Sequence, residues 1–250
     1  MKFDMPHAFP KAAFQEFGEV AATLFPTPLS DQNLNDPLQK RLHFQGAWLA
    51  VCYRYRACAE QNTVFNSVFD QAMNNDLWRE WSVGEDHNYE LEQCLYGFFM
   101  NAISVLESFG FCLYFVGAAI DVQNFPKIHT PRGISLKTTR AAFESVFPYS
   151  LVTTNLATIV ADPAFTRIDT IRNLLAHRLT GRRNVRTVGT THPDGTHTER
   201  REEFWYIPGL NEKVCFDKQL VQRHLSDVTR LLRALTSASL EFVKSQQKLP

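Results

Sequence analysis

The sequence of 250 residues has little glycine and no net charge. It contains 11 glycines against 20 phenylalanines, a balance that suits packed helices better than a β fold with many turns. Lysine and arginine together number 26, as do aspartate and glutamate, so the molecule as a whole attracts neither nucleic acid nor an anionic membrane. Any contact with nucleic acid must therefore come from a local patch of charge.

Several motifs of known chemistry are also missing. The five cysteines are scattered and contain no Cys-x-x-Cys pair, a spacing that indicates neither a disulfide framework nor a zinc site. We therefore expect no metal ion and no cofactor. The chain has no P-loop, no Gly-x-Gly-x-x-Gly after a strand, no Gly-x-Ser-x-Gly and no His-Glu-x-x-His. The hydrolases and dinucleotide enzymes that these motifs mark lose support accordingly.

The N-terminus lacks the basic and then apolar pattern of a signal peptide, and prolines break it at Pro6 and Pro10. One segment, 98–120, is apolar and long enough to raise the question of a membrane span. Ser104 and Glu107 lie within it, and an ionised glutamate is costly in lipid. We predict a buried core helix here, no association with a membrane, and a cytoplasmic protein.

Helical periodicity and capping signals predict an all-α fold. We expect an N-terminal extension over 1–35, with one short helix, followed by a helical domain over 36–250. The β-prone runs 185–188 and 203–207, separated by turn residues at 193–195, predict a β-hairpin over about 183–207, inserted before the last helix. The expected helices span about 12–24, 36–75 (with a kink near 62 left open), 86–121, 136–146, 149–160, 162–180 and 217–244.

The segment from Asp162 to about Thr180 is the most informative stretch. Aspartate followed by Pro163 is typical of a helix start, and Gly181 of a helix end. At 3.6 residues per turn the segment divides into an apolar stripe and a polar ridge. The stripe comprises Ile168, Ile171, Leu175 and Leu179. The ridge comprises Asp169, Asn173 and His177, with Arg172 close enough for its long side chain to reach over it.

The stretch Arg172-Asn173-Leu174-Leu175-Ala176-His177 resembles the motif of the HEPN superfamily, an arginine followed by four to six residues and then a histidine. A polar residue directly after the arginine is usual in that family, and Asn173 supplies it. The resemblance implies a HEPN-like helical bundle of four to five main helices, with the motif on a late helix that faces a partner protomer. It also implies a metal-independent endoribonuclease, or a relative without catalysis that only binds RNA or nucleotides.

Such proteins often act as toxins or in antiviral defence, so the resemblance also suggests an antitoxin or defence protein as partner. One subgroup carries a tyrosine two residues after the histidine, which a partner nucleotidyltransferase modifies. Leu179 stands at that position here, so we do not expect regulation of this kind.

RNA cleavage needs few groups from the protein, because the 2′-hydroxyl of RNA is itself the nucleophile. We predict three catalytic residues. His177 can accept or donate a proton near neutral pH, and Arg172 can bind a phosphate and stabilise the charge that develops on it. Asn173 is expected to orient the phosphate or the imidazole. One histidine is few for both proton transfers, so we predict a two-fold homodimer that supplies a second.

Two carboxylates are predicted to support this site. Asp169 either pairs with Arg172, lies on the surface or orients His177. Glu107 lies in a nearly all-apolar helix, where a carboxylate is costly unless it is paired. Its partner is either Arg172 or another arginine. The same helix has a face of small or polar residues, which either accommodates a packing helix or lines the cleft; it includes Asn101 and Ser104.

A basic run follows the motif, and in a neutral protein this local excess is what contact with an RNA backbone would need. The predicted RNA-binding residues are Arg178, Arg182, Arg183 and Arg186, although surface arginines are also ordinary. An alternative for the whole chain is a non-catalytic helical module that binds RNA, a nucleotide or a protein partner through the same face.

Overall fold

The computed structural model describes residues 5–25, 35–74, 81–176, 182–206 and 214–247. Within these ranges the chain is mostly helical, with a small antiparallel sheet near the C-terminus, so the predicted all-α class is confirmed. The described helices are α1 (Lys11–Ala22), α2 (Asn35–Asn74), α3 (Trp81–Ile120), α4 (Leu136–Val146), α5 (Leu151–Ala161), α6 (Pro163–Ala176) and α7 (Leu220–Gln246). The strands are β1 (Arg182–Thr191), β2 (His197–Tyr206) and β3 (Val214–Cys215).

The main difference from the predicted boundaries lies at the start of α3. The helix expected over about 86–121 already begins at Trp81 and includes Gly84. A single glycine inside a helix costs only about 1 kcal/mol, so it does not end the helix on its own. Helix α2 runs without a break past residue 62. Between α3 and α4 the chain contains two short 3₁₀ turns, each beginning with a proline.

The chain divides into two compact units. The first unit comprises Met1–Ala57, Asn101–Thr166 and Ser226–Pro250, and the second comprises Cys58–Met100 and Arg167–Leu225. Helices α2, α3, α6 and α7 each contribute residues to both units. The predicted division into an extension over 1–35 and a domain over 36–250 stays a prediction.

The first unit is built on aromatic rings. Phe14 and Phe17 of α1 are buried and lie 5.8 and 5.3 Å, between ring centroids, from Phe109 of α3. Phe44 of α2 contacts Phe17 at 6.2 Å. Burial of each such side chain contributes about 1.5–3 kcal/mol, so α1 is part of the core of this unit.

Helix α4 approaches α3 closely in the same unit. A Cβ atom at Gly110 would lie 2.9 Å from Leu136 Cα, so only glycine admits this approach. The Thr139 hydroxyl donates to the Gly110 carbonyl at 3.0 Å. Phe143 of α4 then contacts Phe242 of α7 at 5.4 Å, which joins the C-terminal helix to the same core.

The second unit contains the hairpin. Strands β1 and β2 pair antiparallel from Arg182 opposite Tyr206 to Thr191 opposite His197, which confirms the predicted hairpin. Gly195 in the turn has φ of 81°, a conformation that favours glycine. Strand β3 adds to the free edge of β2. It was not predicted, because two residues carry no readable periodicity.

Helix packing in the second unit combines apolar and polar contacts. Phe65 of α2 contacts Phe216, just before α7, at 5.9 Å. The Asn62 amide donates to Gln222 Oε1 at 2.7 Å, and the Cys58 thiol donates to the Phe98 carbonyl at 3.8 Å.

The apolar part of α3, His87–Ile120, is long and apolar enough to cross a membrane by length and composition. In the structure, 67% of its most apolar window is buried inside the protein, and Phe98, Phe109 and Phe115 are at most 1% exposed. The prediction that this segment is mostly a buried helix is confirmed.

Candidate functional site

The start of α6 is fixed within the first unit. Asp162 Oδ1 accepts a hydrogen bond from the Ala164 N–H at 2.8 Å, as the predicted helix start requires. Arg230 of α7 donates to both oxygens of the same carboxylate, at 2.8 and 3.1 Å. The Arg230 hydrogen bonds lower the pKa of the Asp162 carboxyl below its ordinary value. The carboxylate at the predicted start of α6 therefore also links α6 to α7.

The apolar stripe of α6 orients its polar face. Ile168 and Ile171 are fully buried, and Leu175 is half-buried, as the helical period predicts. Leu179 lies outside the described residues. The burial of the stripe leaves the opposite side of the helix for the polar residues.

Asp169, Arg172 and Asn173 come together on that opposite side, within the second unit. Asp169 Oδ1 accepts from Arg172 Nη2 at 2.7 Å and from Asn173 Nδ2 at 3.3 Å. The side chains of Asp169 and Arg172 are 25% and 30% exposed. Of the alternatives for Asp169, pairing with Arg172 is the one observed. One carboxylate oxygen thus holds the guanidinium and the amide side by side.

The Arg172 guanidinium retains capacity for a further acceptor. Its Nε atom is buried and donates to none of the residues that the structure describes. A buried donor without an acceptor costs about 1–3 kcal/mol, whereas a partly exposed ion pair such as Asp169–Arg172 contributes only about 0–1 kcal/mol. The Nε atom is closed to solvent, so an anion would have to bind through the part of the Arg172 side chain that is exposed.

His177 and Arg178 lie outside the described residues, since the described part of α6 ends at Ala176. In the sequence His177 follows Asn173 by four positions. The catalytic role of His177 and the RNA-binding role of Arg178 stay predictions.

The other predicted RNA-binding arginines belong to β1. Arg182 is paired with Tyr206, Arg183 with Trp205 and Arg186 with Glu202. Successive residues of a strand belong to opposite faces, so the register places positions 182 and 186 on one face of the hairpin and position 183 on the other. The run that is continuous in sequence is therefore divided between two faces.

Glu107 has a structural partner that the sequence did not suggest. Its Oε2 atom accepts from the N–H of Leu136, the first residue of α4, at 2.7 Å. Helices begin with N–H groups that lack partners within the helix, and the positive end of the helix dipole favours a carboxylate there. Glu107 belongs to the first unit and Arg172 to the second, so a pairing between them stays a prediction.

The small or polar face of α3 shows the features of helix packing. Asn101 and Ser104 are half-buried. Further along the same face, the Cys112 thiol donates to the Phe44 carbonyl of α2 at 3.5 Å. Small side chains at these positions allow the backbone of α2 to lie close to α3. No described contact assigns Asn101 or Ser104 to a cleft.

Two asparagines of the second unit, Asn62 and Asn66, were not predicted from the sequence. Asn62 Oδ1 and Asn66 Oδ1 are buried and accept from no described residue, although Asn62 donates through its amide nitrogen. Both lie on α2 one helical turn apart, on either side of Phe65, which is fully buried. A pair of amides at this spacing beside a large apolar residue is the signal that could have identified them.

Burial disfavours the thiolate form of the cysteines in the helices. It raises the pKa of the Cys52 thiol to about 11, and it also raises the pKa of the Cys58 and Cys112 thiols. A thiol that stays protonated at neutral pH is a poor nucleophile and a poor metal ligand. Across the described ranges, no group of three or more His, Cys, Asp or Glu side chains is placed to hold a metal ion.

The described cluster can bind an anion and orient it. Arg172 supplies a fixed positive charge, Asn173 supplies an amide, and Asp169 holds both in place. The proton transfers that a reaction would need are not among the functions of these three groups, and His177 is the predicted source of them. In comparisons with protein-family models, with curated proteins and with solved structures, the chain matches none.

Proposed function

We propose that the protein is a metal-independent endoribonuclease of the HEPN type. The observation that carries the proposal is the Asp169-held pair of Arg172 and Asn173 on the polar side of α6, just before His177 in the sequence. A guanidinium that is restrained beside an amide suits a phosphodiester, whose two free oxygens accept parallel hydrogen bonds.

In the proposed reaction the 2′-oxygen of a ribose forms a bond to the adjacent phosphorus, and the bond from phosphorus to the 5′-oxygen breaks. One imidazole accepts the proton of the 2′-hydroxyl, and a second imidazole donates a proton to the departing 5′-oxygen. Arg172 stabilises the charge that develops on the phosphate oxygens. The products are a 2′,3′-cyclic phosphate and a 5′-hydroxyl.

A homodimer provides the two imidazoles. Two copies of α6 related by a two-fold axis would each contribute His177 to a composite site in a helical bundle of HEPN type. The proposal therefore requires a dimer in solution at micromolar concentration, which light scattering or sedimentation measures. A strictly monomeric protein that still cleaves RNA would contradict the composite site.

On this proposal the protein acts in the cytoplasm as a toxin or an antiviral defence effector, and an antitoxin or defence protein restrains it. Controlled expression in cells tests this proposed role as a toxin or defence effector. Wild-type protein should arrest growth, and His177→Ala should not, at equal protein levels. Equal arrest by both would show that toxicity does not come from RNA cleavage.

The direct test is cleavage of a labelled single-stranded RNA by purified protein in the presence of EDTA. Wild-type protein should cleave, since the nucleophile is the 2′-hydroxyl, and a substrate with 2′-deoxyribose at every position should resist. Arg172→Ala should lose cleavage, whereas the exposed Arg132→Ala should retain it. Cleavage that EDTA abolishes and only a divalent metal restores would overturn the mechanism.

The ion pair itself favours a second candidate, a non-catalytic module that binds RNA, a nucleotide or a protein partner. Asp169 offsets part of the charge on Arg172, which leaves less positive charge to stabilise a transition state. On this alternative, wild-type protein binds RNA and leaves it intact. Binding that Arg172→Ala weakens, without cleavage by any form of the protein, would select it.

A further inference from the structure

A cavity of about 500 Å³ lies within the first unit, between α1 and α2. Met5 and Phe9 line one end of it, and Cys52 of α2 also lines it. Its volume is in the range of sites that bind small molecules, about 300–1,000 Å³. Its lining shares no residue with the Arg172 cluster.

Aromatic rings form one wall of this cavity. Phe14 of α1 and Trp48 of α2 are stacked, with ring centroids 5.3 Å apart and an angle of 12° between their planes. Phe9 meets the edge of Phe14 at 5.1 Å. The Trp48 Nε1–H donates to the Phe14 carbonyl at 3.4 Å, so its polar atom already has a partner in the chain. Phe14 is 1% and Phe9 6% exposed, so the accessible ring surface of this wall belongs to the half-buried Trp48.

A glycine maintains the position of this wall. A Cβ atom at Gly18 would lie 2.6 Å from Trp48 Nε1, a distance that real contacts do not reach. Glycine is unfavourable inside a helix, yet α1 has one at the point where the indole approaches it. The close packing of Trp48 against α1, and with it the shape of the cavity, depends on Gly18.

The charges near the cavity lie at its exposed edge and are balanced. Lys11 and Glu19 are both exposed, and Glu19 accepts from the Gln15 amide at 2.9 Å. Cys52 also lines the cavity; it is 4% exposed, and burial raises its pKa to about 11, so the thiol is neutral at physiological pH. Lys11 and Glu19 offset each other and the other lining residues are neutral, so the lining as a whole favours neither sign of charge.

We propose that this cavity binds a small, uncharged molecule whose body is an apolar ring system. The polar side chains of the lining, Lys11, Gln15, Glu19 and Gln45, are exposed, so a nucleobase seated against the buried residues would lose its hydrogen bonds to water without replacement. A ring system without polar groups can lie against Trp48 and exclude water from apolar surface. The site is independent of the proposed RNA cleavage.

The test uses the full chain and N-phenyl-1-naphthylamine, a neutral aromatic probe that fluoresces in apolar surroundings. We expect saturable binding of one probe per chain with micromolar affinity. Tryptophan emission should excite the bound probe, and Trp48→Phe should reduce this transfer because Trp48 lines the cavity. Directly excited probe fluorescence should persist in that variant.

Ala22 also lines the cavity, and Ala22→Leu should fill it and weaken binding at least 10-fold. Ala12→Leu is the matched control, because Ala12 is exposed on the same helix away from the cavity and should leave the affinity unchanged. Leu49→Phe fills the cavity from α2 and replaces Ala22→Leu if that variant melts at a lower temperature. Equal affinity in a folded cavity-filling variant, or no saturable binding at all, would overturn the proposal.

Discussion

The two units of the molecule satisfy their buried polar groups to different degrees. In the first unit, Tyr55 and Thr229 share a hydrogen bond of 2.6 Å, and the Thr236 and Ser239 hydroxyls donate to carbonyls of their own helix. In the second unit, Asn62 Oδ1, Asn66 Oδ1 and Arg172 Nε are buried without a partner among the described residues.

This difference indicates that the two units have different roles. Satisfied polar groups among aromatic rings stabilise a fold and offer a ligand no unpaired donor or acceptor. Unsatisfied buried groups cost free energy in the free protein, and functional sites are where such costs are commonly retained. The first unit is therefore expected to determine stability, and the second unit to carry the reaction. Variants in one unit or the other test this difference.

The largest expected effect is on catalysis in the second unit. His177→Gln retains some hydrogen bonding but cannot transfer a proton, so RNA cleavage should fall by about 10²–10⁴-fold while RNA remains bound. The melting temperature should not change. His192→Gln is the matched control, because His192 is exposed at the hairpin turn. Near wild-type cleavage by His177→Gln would show that the imidazole is not the acid–base group.

The next largest effect is on stability in the first unit. Phe109 is fully buried between Phe14 and Phe17, so Phe109→Ala should lower the free energy of unfolding by about 3–5 kcal/mol. Urea denaturation measures it. Asn66→Leu in the second unit is the contrasting variant. It removes a buried acceptor without a donor and should change stability by less than about 1 kcal/mol, or increase it.

Features of the fold that depend on local sequence signals could be predicted. The apolar residues of α7 recur at the helical period and are buried: Leu220, Leu225, Val228, Leu231, Leu232 and Leu235. The Asp162–Pro163 start and the hairpin turn were also readable, because both are local signals. Local signals depend only on neighbours in the chain.

Contacts between distant residues were not readable. The pairing of Glu107 with the Leu136 N–H and the fit of Trp48 against Gly18 depend on how helices pack. The two units divide α2, α3, α6 and α7 within their length, whereas sequence reasoning places domain boundaries between elements. For the candidate site, the helical period brought Asp169, Arg172 and Asn173 together correctly, since all three lie within two turns.

A smaller effect on stability is expected from the ion pair that links α6 to α7 in the first unit. The pKa of Asp162 lies below its ordinary value of 3.8 because Arg230 donates to it. The pair therefore stabilises the protein above that pH, and its contribution is lost as the pH falls through the lowered pKa. Since Arg230 is 54% exposed, Asp162→Asn should cost only about 1 kcal/mol at pH 7 and progressively less in acid.

Thermal unfolding at a series of pH values measures this effect. Arg230→Gln and the double variant complete a double-mutant cycle, in which the coupling between the two residues should also decline in acid. A penalty for Asp162→Asn that is the same at low and neutral pH would assign its effect to the helix cap rather than to the ion pair.

The smallest effect separates affinity from chemistry within the second unit. Arg182→Ala with Arg186→Ala alters one face of β1, and Arg183→Ala alters the other. If one face binds the RNA backbone, only the variant on that face should weaken binding and reduce the salt dependence, by about 0.7 in the logarithmic slope for each phosphate that is no longer neutralised. Cleavage at saturating RNA should change little, because an interaction made equally in the ground state and the transition state does not alter turnover.

Titration of a labelled RNA at several salt concentrations measures the slope, with Arg132→Ala as the control. Equal slopes in all these variants would mean that the hairpin does not bind RNA, and that the arginine nearest the phosphate is Arg172 alone or with Arg178.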